Sequence, residues 1–389
     1  MTMYPRGVSR MSEVDQQEIS SLAIGDLRLA VTSDAAPERN GVGAYYEDLL
    51  DYLSSRLAHA EVFSPVIKDG QWQAPLALPM PGDATQKLCF PNPIALQRAL
   101  TELDPHVLIV PTPGVYGITG AFIAARRGVP ILTGFHTSFE QLTDLYWRGS
   151  FKGRFFRQYL EQTHRYLFNR SSAVLTNSND MYLLAERMGA PNIEMIGTPI
   201  PSLFTQTAVS PYEGGLDRVM FAGRLAAEKR IDAIIDAARG LPNITFSIAG
   251  DGPLRDEVEV AAASIANVNY LGWLDREELR RQVDEHHALV LPSHFESFGT
   301  IALEAMARNR VVIVSKGTGI SNWPELARGF VTIDEHSDLT STLSRLADAA
   351  SDWRKALAGR ALEAATSFNN DNIARWEQLL LRTAKRAAL

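Results

Sequence analysis

Short uninterrupted apolar runs alternate along the chain with stretches whose apolar residues recur at helical spacing. The runs Leu27–Thr32, Val107–Pro111, Pro130–Thr133 and Ala173–Thr176 predict strands buried on both faces. Between them AYYEDLLDYLSSRL, Ala121–Arg127 and Asp180–Met188 predict helices. Proline, glycine and small polar residues then accumulate over Gly197–Gly215, and the alternation restarts. Its second half predicts strands Arg218–Phe221, Ile244–Ala249, Val268–Gly272, Ala288–Leu291 and VVIVS, with helices Ile231–Ala238, Arg255–Ala263 and Arg276–Glu285. A long helical stretch, Asp352 to Leu389, closes the chain. Repeated strand–helix alternation implies an α/β fold of parallel sheets covered on both faces.

Length divides this pattern in two. A chain of 389 residues exceeds what one core usually supports, and the small-residue stretch places a boundary near residue 212. The polar residues 1–25 read as a poorly ordered arm, 26–212 as a first domain and 213–368 as a second. A net charge of -7 argues against a nucleic-acid partner. The single cysteine, Cys89, excludes an intramolecular disulfide and CxxC chemistry. No apolar stretch is long enough to span a bilayer and the N-terminus has no signal-like apolar region, so a soluble or peripheral cytoplasmic protein is expected.

Parallel sheets bind ligands beyond the carboxyl ends of their strands, so the loops there carry the candidate chemistry. After Ala288–Leu291 comes HFESFGTIALEAMA, with Glu296 in a loop, Gly299 at a turn and Glu304 inside the next helix. The amides of Ser297, Phe298, Gly299 and Thr300 offer a phosphate cradle at that helix start. Arg224 and Lys229 follow another strand, with Gly223 leaving room for backbone approach; a fork and a point charge together suit a diphosphate, although a surface ion pair fits them equally. Gly250 and Gly252 fall on the same edge. His136 stands where a strand stops, as a ligand or as a structural histidine. Gly41 and Gly43 lack the GxGxxG spacing and suit either ligand approach or helix entry. Between Tyr146 and Arg170 basic residues interleave with aromatics, among them Trp147, Arg148, Phe151, Lys152, Arg154, Phe155 and Arg157. A helix at an anionic membrane surface has this composition, and so does a long helix with aromatics packed inward. Asp-x-Asp, GxxxxGK[ST] and GxSxG are absent.

Four segments together carry a resemblance: AGRLAAEK (222–229), AGDGPL (249–254), PSHFESFGTIALEA (292–305) and, in the first half, NGVG with FHTSF. In this combination the chain from about residue 27 onward resembles the retaining GT-B glycosyltransferases of family 4, apart from Asn40 where these proteins often have Gly. The resemblance implies two Rossmann-like domains facing a cleft, with a last helix over 369–389 crossing back to the first. It implies that Arg224 and Lys229 bind a diphosphate, Glu304 the ribose and Glu296 the donor-sugar hydroxyls. The amides of Phe298, Gly299 and Thr300 would complete the phosphate cradle, with Gly250 and Gly252 on the donor side. His136 would reach the sugar and Gly41 to Gly43 would form a facing loop. Retaining hexose transfer without metal or cofactor is expected, from a nucleotide-sugar such as UDP-glucose. The basic–aromatic segment directs the acceptor expectation to a lipid such as diacylglycerol and the location to the inner face of the plasma membrane. A soluble sugar, polyol or polysaccharide acceptor is the alternative, and a non-catalytic nucleotide-sugar binder a third reading.

Overall fold

The computed structural model describes residues 22–36, 41–68, 71–80, 83–136, 151–333 and 338–386. The first sheet is built from β1 (Arg28–Thr32), β2 (His59–Phe63), β7 (Val107–Val110), β8 (Ile131–Gly134), β9 (Ser171–Thr176) and β10 (Ile193–Met195). Its order is β10-β9-β8-β7-β1-β2, and every pairing is parallel. Helices α1 (Gly41–Leu53), α2 (Pro93–Leu103), α3 (Val115–Arg127), α4 (Phe151–Phe168) and α5 (Asn179–Arg187) connect or flank these strands. Two antiparallel hairpins, β3/β4 (Val66–Lys68, Gln71–Gln73) and β5/β6 (Leu76–Met80, Asp83–Phe90), interrupt the alternation; their mixed composition gave no strand signal.

Alternation along β1 sends its side chains to two cores. Leu29 and Val31 face Tyr46, Leu49 and Leu53 of α1, whereas Ala30 joins Leu108, Val110, Leu96, Leu100 and Ala121 on the other side. The sheet is thus covered on both faces, as its continuous apolar strands require.

The second sheet repeats the scheme with β11 (Arg218–Ala222), β12 (Thr245–Ala249), β13 (Val268–Gly272), β14 (Ala288–Leu291), β15 (Val311–Ser315) and β16 (Val331–Ile333). The order β13-β12-β11-β14-β15-β16 is again wholly parallel. Around it lie α6 (Ser202–Gln206), α7 (Ile231–Gly240), α8 (Arg255–Ser264), α9 (Arg276–Glu285), α10 (Thr300–Ala307), α11 (Leu339–Asp348) and α12 (Ser351–Arg386).

The chain divides into two compact units, one containing the residues up to Thr176, Met181–Ile196 and Ile373 onward, the other Asn177–Asp180 and Gly197–Asn372. The boundary therefore falls at residue 196 rather than near 212. Residues 197–208 are bonded into the second unit: Asn372 Oδ1 accepts from the Gly197 amide at 2.8 Å and Asn369 Oδ1 from the Ile200 amide at 2.8 Å. The fully buried Arg308 guanidinium donates to the carbonyls of Phe204, Thr207 and Ala208 while clamping Asp284 at 2.7 Å. Composition reads as a linker what these side chains make part of a domain. The last helix changes unit partway along its length, and beyond Ile373 it places Trp376, Leu379 and Leu380 in the core beside Tyr45 and Tyr46. At the other end, residues 1–21 lie outside the described set, but Leu22 and Ile24 pack on the same core, so the expected arm does not extend to residue 25.

Candidate functional site

Because all six strands of the second sheet run the same way, the loops after β11, β12, β13, β14 and β15 share its carboxyl edge. They are stitched together through the backbone. The Gly223 amide donates to Ala249 O at 3.1 Å, Leu225 to Asp251 O at 3.0 Å, His294 to Glu228 O at 2.8 Å and Glu296 to Gly317 O at 2.9 Å. Gly250 is required where this stitching is tightest. Its φ is 134°, and a Cβ there would lie 1.8 Å from the Gly223 carbonyl oxygen. Gly299, at φ 91°, ends the loop as the N-cap of α10 and supplies no side-chain cap. The start of α10 is therefore left to backbone amides, at the positively polarised end of the helix.

Three ion pairs lie along this edge. The Lys229 ammonium donates to Glu296, both side chains being largely buried, at 14% and 21% exposure. Arg276, at the start of α9, faces Glu304 at 3.5 Å. Arg224 lies 3.7 Å from the buried Glu228. Arg224, Lys229, Gly250, Gly252, Glu296, Gly299, Thr300 and Glu304 thus all belong to the second unit. Phe298 differs in kind. Its ring is buried against Trp323 and Phe368, so only its backbone is available to a ligand, and its carbonyl already accepts from Ile320 at 2.7 Å.

The remaining candidates are in the first unit. His136 follows β8 and is buried; its Nε2 shares a 2.8 Å hydrogen bond with the Tyr46 hydroxyl, and its ring lies 5.2 Å from that of Tyr45. Burial pushes its pKa down to about 4, so the imidazole is neutral at pH 7. Among the described residues Nδ1 has no hydrogen-bond partner. Gly41 and Gly43 form the first turn of α1 and not a loop, and Gly43 is buried there.

Sequence reasoning passed over Asp34. It stands just beyond β1, and its carboxylate accepts from the amides of Tyr116 at 2.8 Å and Gly117 at 3.2 Å, and from the Thr112 hydroxyl at 2.8 Å. Thr112 in turn accepts from the Asp34 amide at 2.8 Å. The carboxylate fills the start of α3 so closely that a Cβ on Gly114 would come within 2.4 Å of its Cγ. Desolvation raises its pKa to about 6 against the opposing pull of these donors. The only sequence signal was an acid at the carboxyl end of a strand.

Trp147 and Arg148 lie outside the described residues, as do the side chains of Phe151, Lys152, Arg154 and Phe155. From Arg157 onward α4 turns Leu160, His164, Leu167 and Phe168 inward, where the His164 ring meets Phe135 edge-on at 4.9 Å. Tyr166 is covered by the Arg170 guanidinium at 3.8 Å. Phe168 therefore serves the core and no interface, while Tyr159 is exposed. No helix among the described residues is long and apolar enough to cross a membrane, and no group of three or more metal-ligating side chains occurs among them.

Comparison with known proteins covers both units. A family model for Glycosyltransferase Family 4 matches residues 39–202, and one for Glycosyl transferases group 1 matches 205–336. Alpha-D-kanosaminyltransferase of Streptomyces kanamyceticus is 32% identical over 110 residues, 26% of this chain and 28% of that protein. The sulfoquinovosyl transferase SQD2 of Arabidopsis thaliana is 23% identical over 238 residues, 57% of this chain and 44% of that protein. The chain spans 28% to 57% of the length of the first curated relatives it matches. Among solved structures, HepE of Anabaena in complex with UDP and glucose superposes with a TM-score of 0.64 at 17% identity, covering 89% of this chain and 98% of that one. Sucrose-phosphate synthase of Thermosynechococcus elongatus gives 0.65 at 16% identity, covering 90% and 98%. These likenesses establish a GT-B fold.

Proposed function

The chain belongs to the family 4-like GT-B glycosyltransferases, and from that premise we propose that it moves a hexose from a nucleotide-sugar to an acceptor hydroxyl with retention of configuration. One observation carries the reading: a cation pair, two acids and an uncapped helix start converge on one edge of the second sheet. A diphosphate needs fixed positive charge, which Arg224 and Lys229 supply, and oriented donors, which the amides from Gly299 to Thr300 supply. Glu304 then takes the ribose hydroxyls and Glu296 the sugar hydroxyls, and His136 takes part in transfer. In the reaction the bond from the anomeric carbon to the diphosphate oxygen breaks, and a bond to the acceptor oxygen forms on the same face. The acceptor proton passes to the leaving phosphate. Charge develops on the diphosphate, and stabilising it is the protein's main task. No metal is needed in this scheme, so EDTA should leave the rate unchanged.

UDP-glucose is the favoured donor and a membrane lipid such as diacylglycerol the favoured acceptor. HepE, solved with UDP and glucose, supports the donor. The basic composition of the start of α4 supports the acceptor. A soluble acceptor is favoured instead by the inward packing of Leu160, His164, Leu167 and Phe168. Release of nucleotide from a panel of nucleotide-sugars tests the activity; tight binding without turnover would leave a binder. Co-sedimentation with anionic vesicles tests the lipid reading. It fails if the protein stays in solution and charge reversal at Arg154 and Arg157 changes nothing.

A further inference from the structure

Two residues in the second unit are locally misplaced, and they meet. Arg276 occupies the first position of α9, where the exposed amides and the helix dipole favour negative charge. Every neighbouring choice obeys that rule: Asp275 caps the helix by accepting from the Glu278 amide at 2.8 Å, and Glu277 and Glu278 fill the first turn. The other two cations of α9 pair along the helix itself, Arg280 with Asp284 at 2.8 Å and Arg281 with Glu278 and Glu285. Arg276 instead reaches another element. Its partner, Glu304, is the one charged residue of α10, a helix whose residues from Ala302 to Ala307 are all buried. A carboxylate in that setting is costly unless a cation compensates it. Helix α9 gives up favourable electrostatics at its start, and α10 accepts a buried acid, and the two meet at 3.5 Å beside the carboxyl edge of the sheet. Violations of local preference that satisfy each other mark a functional site more than a stability device.

We propose that Arg276 is a positioning residue for nucleotide recognition: it holds the Glu304 carboxylate in the orientation that accepts the two ribose hydroxyls of a nucleoside diphosphate. This rests on the assignment of Glu304 to the ribose under the proposed function. Arg276 acts through Glu304, so its loss removes discrimination for the ribose diol without removing diphosphate binding.

The test is equilibrium binding of paired ligands, UDP and its 2′,3′-dideoxyribose analogue, with the ADP or GDP pair used if those bind more tightly. The full-length protein should prefer the ribose form by about tenfold or more, the discrimination that hydrogen bonds to a charged partner typically give. Glu304→Gln and Arg276→Met should both bring the ratio towards one while changing affinity for the dideoxy ligand less than about twofold. Arg276→Lys should restore part of the ratio, and Arg276→Met combined with Glu304→Gln should lose no more than Glu304→Gln alone. Each ratio is measured on one protein sample, so partial misfolding does not imitate the effect. The inference is overturned if Arg276→Met keeps the full ratio, or weakens both ligands equally as a direct phosphate contact would. Absence of binding to any of the nucleoside diphosphates would overturn the donor-site reading itself.

Discussion

Lys229 and Glu296 already hold each other before any ligand arrives, which gives the pair a consequence at the scale of single residues. Under the proposed function a diphosphate would compete with the Glu296 carboxylate for the ammonium, and the carboxylate released by that exchange would become available to sugar hydroxyls. Glu296→Gln leaves a largely buried ammonium uncompensated, so it should destabilise the free protein by about 3 kcal/mol. The same change should tighten UDP binding about three- to tenfold and slow transfer, as read by calorimetry and by turnover. Equal or weaker UDP binding in Glu296→Gln would show that the pair does not oppose the ligand. Asp34 makes a second expectation. Its folded pKa, about 6, lies above the ordinary 3.8, so its contribution to stability is complete below pH 3.8 and lost as pH rises to 6. Asp34→Asn removes that titration. Relative to the natural protein, the variant should gain up to about 3 kcal/mol in urea-derived stability between pH 4 and pH 6.5. A difference independent of pH would mean that the donors of α3 and Thr112, rather than burial, control this carboxylate.

At the scale of elements, the carboxyl edge of the second sheet depends on backbone approaches that side chains would block. Gly250→Ala would drive its Cβ against the Gly223 carbonyl in a conformation that alanine rarely adopts. It should cost about 3 kcal/mol or more and loosen the loops after β11 and β12 together. Urea unfolding measures the first effect, and weakened UDP binding the second. Unaltered binding would mean that the loop carrying Gly250 and Gly252 has no part in holding a nucleotide. The same elements were unevenly legible in the sequence. Strand and helix periods placed β11 to β15 and α7 to α9 closely, because burial on both faces leaves continuous apolar runs. The helix at Val115–Arg127 was expected only from Ala121, since Gly117 and Gly120 in its first half weaken the helical signal. Those glycines are needed there: a Cβ on Gly117 would meet the Thr112 carbonyl at 2.0 Å, and one on Gly120 would meet Thr32 Oγ1 at 2.3 Å.

On the scale of the whole molecule, two buried histidines make the first unit sensitive to acid. Burial lowers the pKa of both His136 and His164 to about 4. Their contribution is fully present above pH 6.5 and is lost as pH falls towards 4, where the unfolded chain binds protons that the folded one refuses. Asp34 acts in the opposite sense over pH 6 to 3.8, but one carboxylate offsets only part of two imidazoles. Stability of the first unit should therefore fall on acidification through this window, followed by near-ultraviolet signals of its tyrosine and tryptophan cluster. His164→Phe should flatten the fall by up to about 3 kcal/mol. If it leaves the pH profile unchanged, His164 is protonated without cost and its burial is not the cause.

What the sequence by itself determined was the local order: parallel α/β alternation, two halves, and the loops that follow the strands of the second sheet. Periodicity and burial act over a few residues, so they leave a readable pattern. Only the tertiary structure decided who pairs with whom. Lys229 meets Glu296 across 67 residues and Asp34 meets Thr112 across 78, while Arg308 draws residues 204 to 208 into the second unit. Such partners share no local period. Glu304 stands out in the sequence and Arg276 does not, and their pairing becomes visible only where the fold brings the start of α9 beside α10.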